Sequence, residues 1–315
     1  MAYVARRIGV FLVTVVLASV AVFAVLAVLP GDPASIYAGT QATPGQVEAL
    51  REEYGLDASV PSRYFDWAGG VVTGDLGKTF VSKVSIADQI TSRLSVTLPL
   101  VGFSVLLALV VAIPLGFRAA TGHRRLSGTL ISGLAQLGIA IPAFWAGLLL
   151  VALVAVRWQL LPGSGFIRWS DSWWGAVKSL ILPAVSLALV QAAILTRYIR
   201  SSVLEVIGED YIRTARAKGM TMRQALRRHG TRNAAIPVVT VLGLQLSSLF
   251  VGAVVIENVF ALPGLGKLLL DAIGNREIIL IQDIIMFLVV ASLAISLAVD
   301  LIHVAIDPRL RRGAR

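Results

Sequence analysis

There is not one cysteine in the 315 residues. Disulfides and thiolate metal sites are therefore excluded, and redox chemistry says nothing about compartment. Histidine is nearly as scarce: His123, His229 and His303 stand far apart, none of them beside carboxylates in a zinc-binding pattern. Charge is thin as well. Only 15% of residues are Asp, Glu, Lys or Arg, against 57% hydrophobic, and mean hydropathy is +0.81. That is too apolar for a soluble globular protein and fits a membrane protein. A P-loop is missing too. Gly77-Lys78-Thr79 mimics its end, but the first glycine that the motif requires falls on Val72. Any ATP hydrolysis must therefore sit on another polypeptide. The apolar runs carry almost no ionisable group, Asp300 being the exception, whereas ion-driven carriers usually need midplane carboxylates or broken-helix ion sites. No Ser/His/Asp constellation stands out. A membrane enzyme, a channel and a structural membrane subunit stay open beside a transport role; a polar cluster converging in the bilayer would favour the enzyme.

What is present is a series of long apolar runs. Arg6 and Arg7 precede an uncharged stretch, Ile8 to Leu29, which is long enough to span a bilayer; a signal peptide is the competing reading, although this core is longer than the usual one of about 7–15 residues. Further spans are expected at about Thr97–Phe117, Thr129–Val156, Ser179–Tyr198, Ala235–Ile256 and Ile284–Ile306, making an all-α membrane protein of six transmembrane helices. The third exceeds the hydrocarbon thickness and carries Pro142 in its middle, which predicts a kink or break. Trp158, Trp169, Trp173 and Trp174 cluster in the loop after it, an aromatic-belt signal. The chain divides into a first span (1–30), an extracytoplasmic helical insertion (31–96), a core of five spans (97–306) and a basic tail (307–315). Within the insertion, Thr43-Pro44-Gly45-Gln46 reads as a capping box with Pro at the first helical position, and Gly55 closes that helix. Tyr64, Phe65 and Trp67 are candidates for the membrane interface. Asp300 is expected to reach the interface or to pair with a tail base such as Arg309.

The net charge of +10 would suit a nucleic-acid binder, but its distribution argues otherwise. With the N-terminus inside, the inner segments hold 18 Lys and Arg and the outer ones 10, for net charges of +14 and −3. The excess is a positive-inside topology signal with both termini cytoplasmic.

The segment Glu205–Pro237 stands out between the apolar runs. With Arg197 and Arg200 included it carries nine bases against Glu205, Glu209 and Asp210. One short helix is expected from about Glu205 to Lys218, with Glu209 four residues before Arg213 in the favourable ion-pair orientation. Gly219 fits the left-handed position past its end. Thr221-Met222-Arg223-Gln224 has the form of a capping box, so a second helix is expected from there to about His229-Gly230. A positively charged loop resting on anionic lipid is the plain alternative; the capped two-helix grammar favours a docking element.

The run Tyr211-Ile212-Arg213-Thr214-Ala215-Arg216-Ala217-Lys218-Gly219, with Arg228, Arg232-Asn233 and Pro237, resembles the cytoplasmic coupling loop (about 200–234) of ABC importer permeases of the dipeptide/oligopeptide/nickel type. Arg213-Thr214-Ala215 stands where the general importer motif has E-A-A, and Pro237 lies further from Gly219 than the general pattern allows. Both departures resemble the peptide branch. Leu50–Asp57 and Gly74–Gly77 resemble it too. The resemblance implies the type I importer permease fold in a bacterial inner membrane. It also implies a second permease subunit, usually a different related chain, two ATPase subunits that bind ATP and Mg, and an extracytoplasmic solute-binding protein. The chain itself would bind no cofactor and catalyse nothing. Peptide is the solute class implied; nickel or another small solute is the alternative. Phe260 and Leu262, with Pro263, Gly264 and Gly266, form a candidate outer gate or a connector that only packs. Gln191 and Gln245 are candidates for lining the path or for bonding between helices.

Overall fold

The computed structural model describes residues 2–28, 33–38, 42–80 and 82–306. Among them the fold is helical throughout, with a single isolated bridge between Lys78 and Ser85. Five helices are long and apolar enough to cross a membrane: α1 (Ala2–Ala27), α5 (Ile86–Thr121), α8 (Trp173–Ile207), α11 (Thr231–Val259) and α13 (Ile278–Ile306). A sixth candidate is bent. α6 (Leu126–Ala140) and α7 (Ala143–Leu150, continued by a π-helical stretch Val151–Arg157) pass the same test together but meet at 96°. The break falls at Ile141-Pro142, the proline that interrupts the run, and Pro142 caps α7 in extended geometry. Shorter helices α2 (Pro33–Ala38), α3 (Pro44–Glu53) and α4 (Val60–Thr73) follow α1; α9 (Asp210–Ala217) and α10 (Met222–Ala225) lie between α8 and α11; α12 (Leu265–Gly274) precedes α13. α3 begins as its sequence demands: Gln46 Oε1 accepts the Thr43 N–H at 2.9 Å, and Gly55 ends the helix at φ +60°.

α8 is the hub, packed against α5, α6, α7 and α11, and its span is the most buried of all. Small residues make this possible. Ala108, Ala112, Ala119 and Ala120 of α5 are buried, and a Cβ on Gly116 would stand 2.7 Å from Ile199. Close backbone approach of this kind replaces the hydrophobic effect as the cause of helix association in lipid. One core cluster joins α5, α8 and α11 around Leu100, Leu180, Leu249 and Phe260. A second continues along α5 and α8 into α9 and α10. A third joins α12 and α13 to the start of α5.

Several boundaries differ from the sequence expectation. α5 starts at Ile86 rather than near Thr97, because Ser85 caps it and Ile86 and Ile90 are buried against α12 and α13. Asp300 pairs with Arg7 of α1 at 2.9 Å; the alternative pairing with Arg309 falls on the basic tail, outside the described residues. α11 and α13 also run past the expected span ends and take in two further acids. Glu257 on α11 and Asp283 on α13 are both buried, at 0% and 2% exposure.

Candidate functional site

The basic segment forms a knob at the end of α8 and α11. α8 runs on to Ile207, so Glu205 belongs to it rather than opening the next helix. α9 starts after Glu209, which holds the N-cap position, and Arg213 pairs with Asp210 at 3.1 Å instead of with Glu209. The i,i+3 partner wins because Glu209 is in extended backbone, outside the helical repeat. α9 ends in a Schellman motif. Gly219 N–H donates to Arg216 O at 2.9 Å, Met220 N–H to Ala215 O at 3.3 Å, and Gly219 takes φ +91°. α10 opens with the expected capping box: Gln224 N–H donates to Thr221 Oγ1 and Thr221 N–H to Gln224 Oε1.

The second helix does not stop at Gly230. It passes through a π-helical turn, Leu226–Gly230, straight into α11. Thr231 Oγ1 donates to the carbonyls of Leu226 and Arg227, and the Thr231 N–H also donates to Leu226 O across the wide turn. Gly230 therefore serves packing, not termination: a Cβ there would lie 2.8 Å from Val206.

The knob has two unlike faces. Ile212, Ala215, Ala225 and Leu226 are buried in the cluster that runs up α5 and α8. Asn233 Nδ2 donates to Tyr211 Oη at 2.9 Å, and Ser202 Oγ to Ala234 O at 2.8 Å, so α9, α8 and α11 are bound together. The opposite face exposes Arg213, Thr214, Arg216, Ala217, Lys218, Gly219, Arg223, Arg227 and Arg228. Pro237 lies on α11 two turns beyond Gly230 and denies the Asn233 carbonyl its helical donor. Thus the structure brings Tyr211–Gly219, Arg228 and Asn233 together on a unit continuous with α8 and α11, while Pro237 stands apart on α11.

Gln191 and Gln245 fall elsewhere. A Cβ on Gly252 would meet Leu187 at 3.2 Å, and Ser202 bonds to Ala234; these two contacts set the antiparallel register of α8 and α11. In that register the glutamines stand at one height on the facing sides of the two helices. Gln191 Oε1 and Gln245 Nε2 are buried without partners, an acceptor and a donor that complement each other.

The Phe260–Gly266 turn is packed. Phe260 is 1% and Leu262 0% exposed, both in the core, and the Phe260 ring would meet a Cβ on Gly147 at 3.0 Å. α11 ends in a second Schellman motif with Ala261 at φ +50°. The buried Glu257 carboxylate then accepts from Thr97 Oγ1 (2.6 Å), Gly266 N (2.7 Å) and Lys267 N (3.2 Å), capping α12 from the end of α11. Thr97 Oγ1 in turn accepts from Leu265 N at 2.8 Å. Sequence reasoning missed Glu257, although a carboxylate six residues before a Pro-Gly that starts a helix is a signal that could have been used.

Comparison with known proteins follows this geometry. Residues 112–312 match the family described as binding-protein-dependent transport system inner membrane component, and residues 1–101 match the N-terminal family of the same components. The chain is 36% identical to the dipeptide transport system permease protein DppB of Escherichia coli K12, with 98% of each chain covered. It is 38% identical to a putative peptide transport system permease protein of Brucella abortus, over 98% of this chain and 99% of that one. It is also 38% identical to the glutathione transport system permease protein GsiC of Escherichia coli O6:H1, with 98% of each covered. Among solved structures, an inward-facing form of the MetNI methionine ABC transporter aligns with TM-score 0.58 at 19% identity, over 70% of this chain and 96% of that one. An amino acid ABC transporter aligns with TM-score 0.52 at 16% identity, over 69% and 93%. At such identities these two speak for the fold alone.

Proposed function

Because the chain belongs to the family of inner-membrane components of binding-protein-dependent transport systems, we propose that it forms half of the path of an ATP-driven peptide importer and that the knob at Asp210–Gly230 couples it to a separate ATPase subunit. It is a transport component, not an enzyme. The observation that carries the coupling role is the two-faced knob: an exposed basic surface on one side, and an apolar underside continuous with the core of α5, α8 and α11 on the other. A loop that merely rested on lipid would need the first face and not the second.

The peptide assignment rests on relatives named for dipeptide, peptide and glutathione transport, glutathione being itself a small peptide. The remaining partners are a second permease chain, two ATPase subunits carrying ATP and Mg, and an external solute-binding protein. Both termini lie on the cytoplasmic side, the side of the knob, in keeping with the Lys and Arg distribution.

Gly219→Val tests the coupling. Nothing stands within 4 Å of the new Cβ, so the defect is backbone strain at φ +91°, about 1–3 kcal/mol, confined to the turn. The chain should still insert and be expressed. ATPase subunits should co-purify poorly or hydrolyse ATP without uptake of labelled peptide, and Arg216→Glu should give a milder form of the same defect. Full uptake by the Gly219→Val transporter at normal ATPase stoichiometry would end the assignment.

A further inference from the structure

α4 belongs to the insertion that follows the first span, yet two hydrogen bonds tie it deep against spanning helices. The Tyr64 hydroxyl bonds Ser19 Oγ of α1 at 2.9 Å, and Trp67 Nε1 donates to Asp283 Oδ1 of α13 at 2.7 Å. Phe23 of α1 lies against both, its ring 5.5 Å from Tyr64 edge to face and 6.0 Å from Trp67. Ser19, Phe23 and Asp283 are all buried.

The Arg7–Asp300 ion pair supplies a ruler, because it sets one end of α1 level with one end of α13. At about 1.5 Å per residue, Ser19 lies roughly 18 Å from that level, Phe23 roughly 24 Å and Asp283 roughly 26 Å. With the half-exposed ion pair taken as one boundary of a hydrocarbon layer about 30 Å thick, all three fall inside it, with Phe23 and Asp283 just beneath the far boundary. Covalent geometry limits the distance from the Tyr64 Cα to the Ser19 Cα to about 12 Å. α4 meets α1 at both Ser19 and Phe23, one turn apart along its side, so much of that reach is taken up sideways. The middle of α4 is then held within the hydrocarbon layer or at its edge.

The helix surface agrees with this depth. At 100° per residue α4 has three sides. Tyr64, Trp67, Ala68 and Val71 face the protein. Ser62, Arg63, Asp66 and Thr73 form a polar side. Pro61, Phe65, Gly69 and Val72 form an uncharged side, with Phe65 71% and Val72 87% exposed. A helix with a protein side, a water side and an apolar side is suited to lie in a membrane boundary with the apolar side buried about 5–10 Å.

We propose that α4 is a non-spanning helix seated in the outer leaflet, its Phe65–Val72 side in contact with lipid acyl chains and its Arg63 and Asp66 side turned to the headgroups. The word outer rests on the orientation proposed above; the depth does not. Trp67–Asp283 and Tyr64–Ser19 are the anchors that hold it there.

The absence of cysteine makes the test direct. Single nitroxide labels are placed at Phe65→Cys, Val72→Cys, Asp66→Cys and Ala58→Cys in the assembled transporter, its other chains made cysteine-free, in phosphatidylethanolamine/phosphatidylglycerol vesicles. Power saturation is read with oxygen and with a water-soluble nickel chelate. Labels at 65 and 72 should be several-fold more accessible to oxygen than to the chelate, with the reverse at 66 and 58. Chelate access at 65 equal to that at 58 would overturn the proposal in favour of an aqueous excursion. Shielding of 65 from both reagents would overturn it in favour of a covering protein. Val72→Cys repeats the reading at a site with no packing to disturb.

Discussion

A methyl group at Gly264 would lie 2.1 Å from the Glu257 carboxyl carbon, whereas one at Gly219 would touch nothing within 4 Å. The two glycines are needed for different reasons, space in one case and positive φ in the other. Gly264→Ala must push aside a carboxylate that is holding three donors, at a cost of about 1–3 kcal/mol. Phe260→Ala empties a core site and should cost about 3–5 kcal/mol. Both substitutions should lower the melting temperature of the purified complex and its yield before they lower uptake per assembled complex. A Phe260→Ala complex that assembles and melts normally, with normal basal ATPase activity, yet imports poorly would restore Phe260 to the role of an outer gate.

At the scale of elements, what was legible in the sequence is what is decided locally. The Gly219 turn, the capping boxes at Thr43 and Thr221 and the break at Pro142 each depend on a few adjacent residues, and each forms as expected. The misread boundaries depend on contacts from far along the chain. Gly230 reads as a helix end but is small because Val206 presses on it, and α5 begins early because α12 and α13 cover Ile86 and Ile90. Glu257 and Asp283 were counted with the outer charges because nothing nearby in sequence announces Thr97 or Trp67 as a partner. The α8–α11 pair carries a prediction of the same long-range kind. Gln191 and Gln245 are complementary and face each other, so a double-mutant cycle with Gln191→Leu and Gln245→Leu, read as thermal stability of the complex, should show a coupling of about 0.5–1.7 kcal/mol. Additive losses would mean that the two side chains act apart.

For the whole molecule, the Arg7–Asp300 pair levels the start of α1 with the end of α13, and the topology proposed from the Lys and Arg asymmetry sets the knob on that same face. In intact cells, cysteines at Ser127 and Thr231 should resist an impermeant thiol reagent and one at Ser172 should react. Labelling of Thr231→Cys from outside would invert the topology. Residues Met222 to Val259 run as 38 residues of continuous helix, about 57 Å, from the capped start of α10 within the knob to the Glu257 clasp at the opposite end. A lever of that length carries thrust and torque without slippage, except where the π turn and Pro237 soften its base. Twisting the knob therefore loads Gly264, Thr97 and the start of α12 on the far side of the membrane. Compliance is concentrated near the handle, while the distant bearing stays stiff.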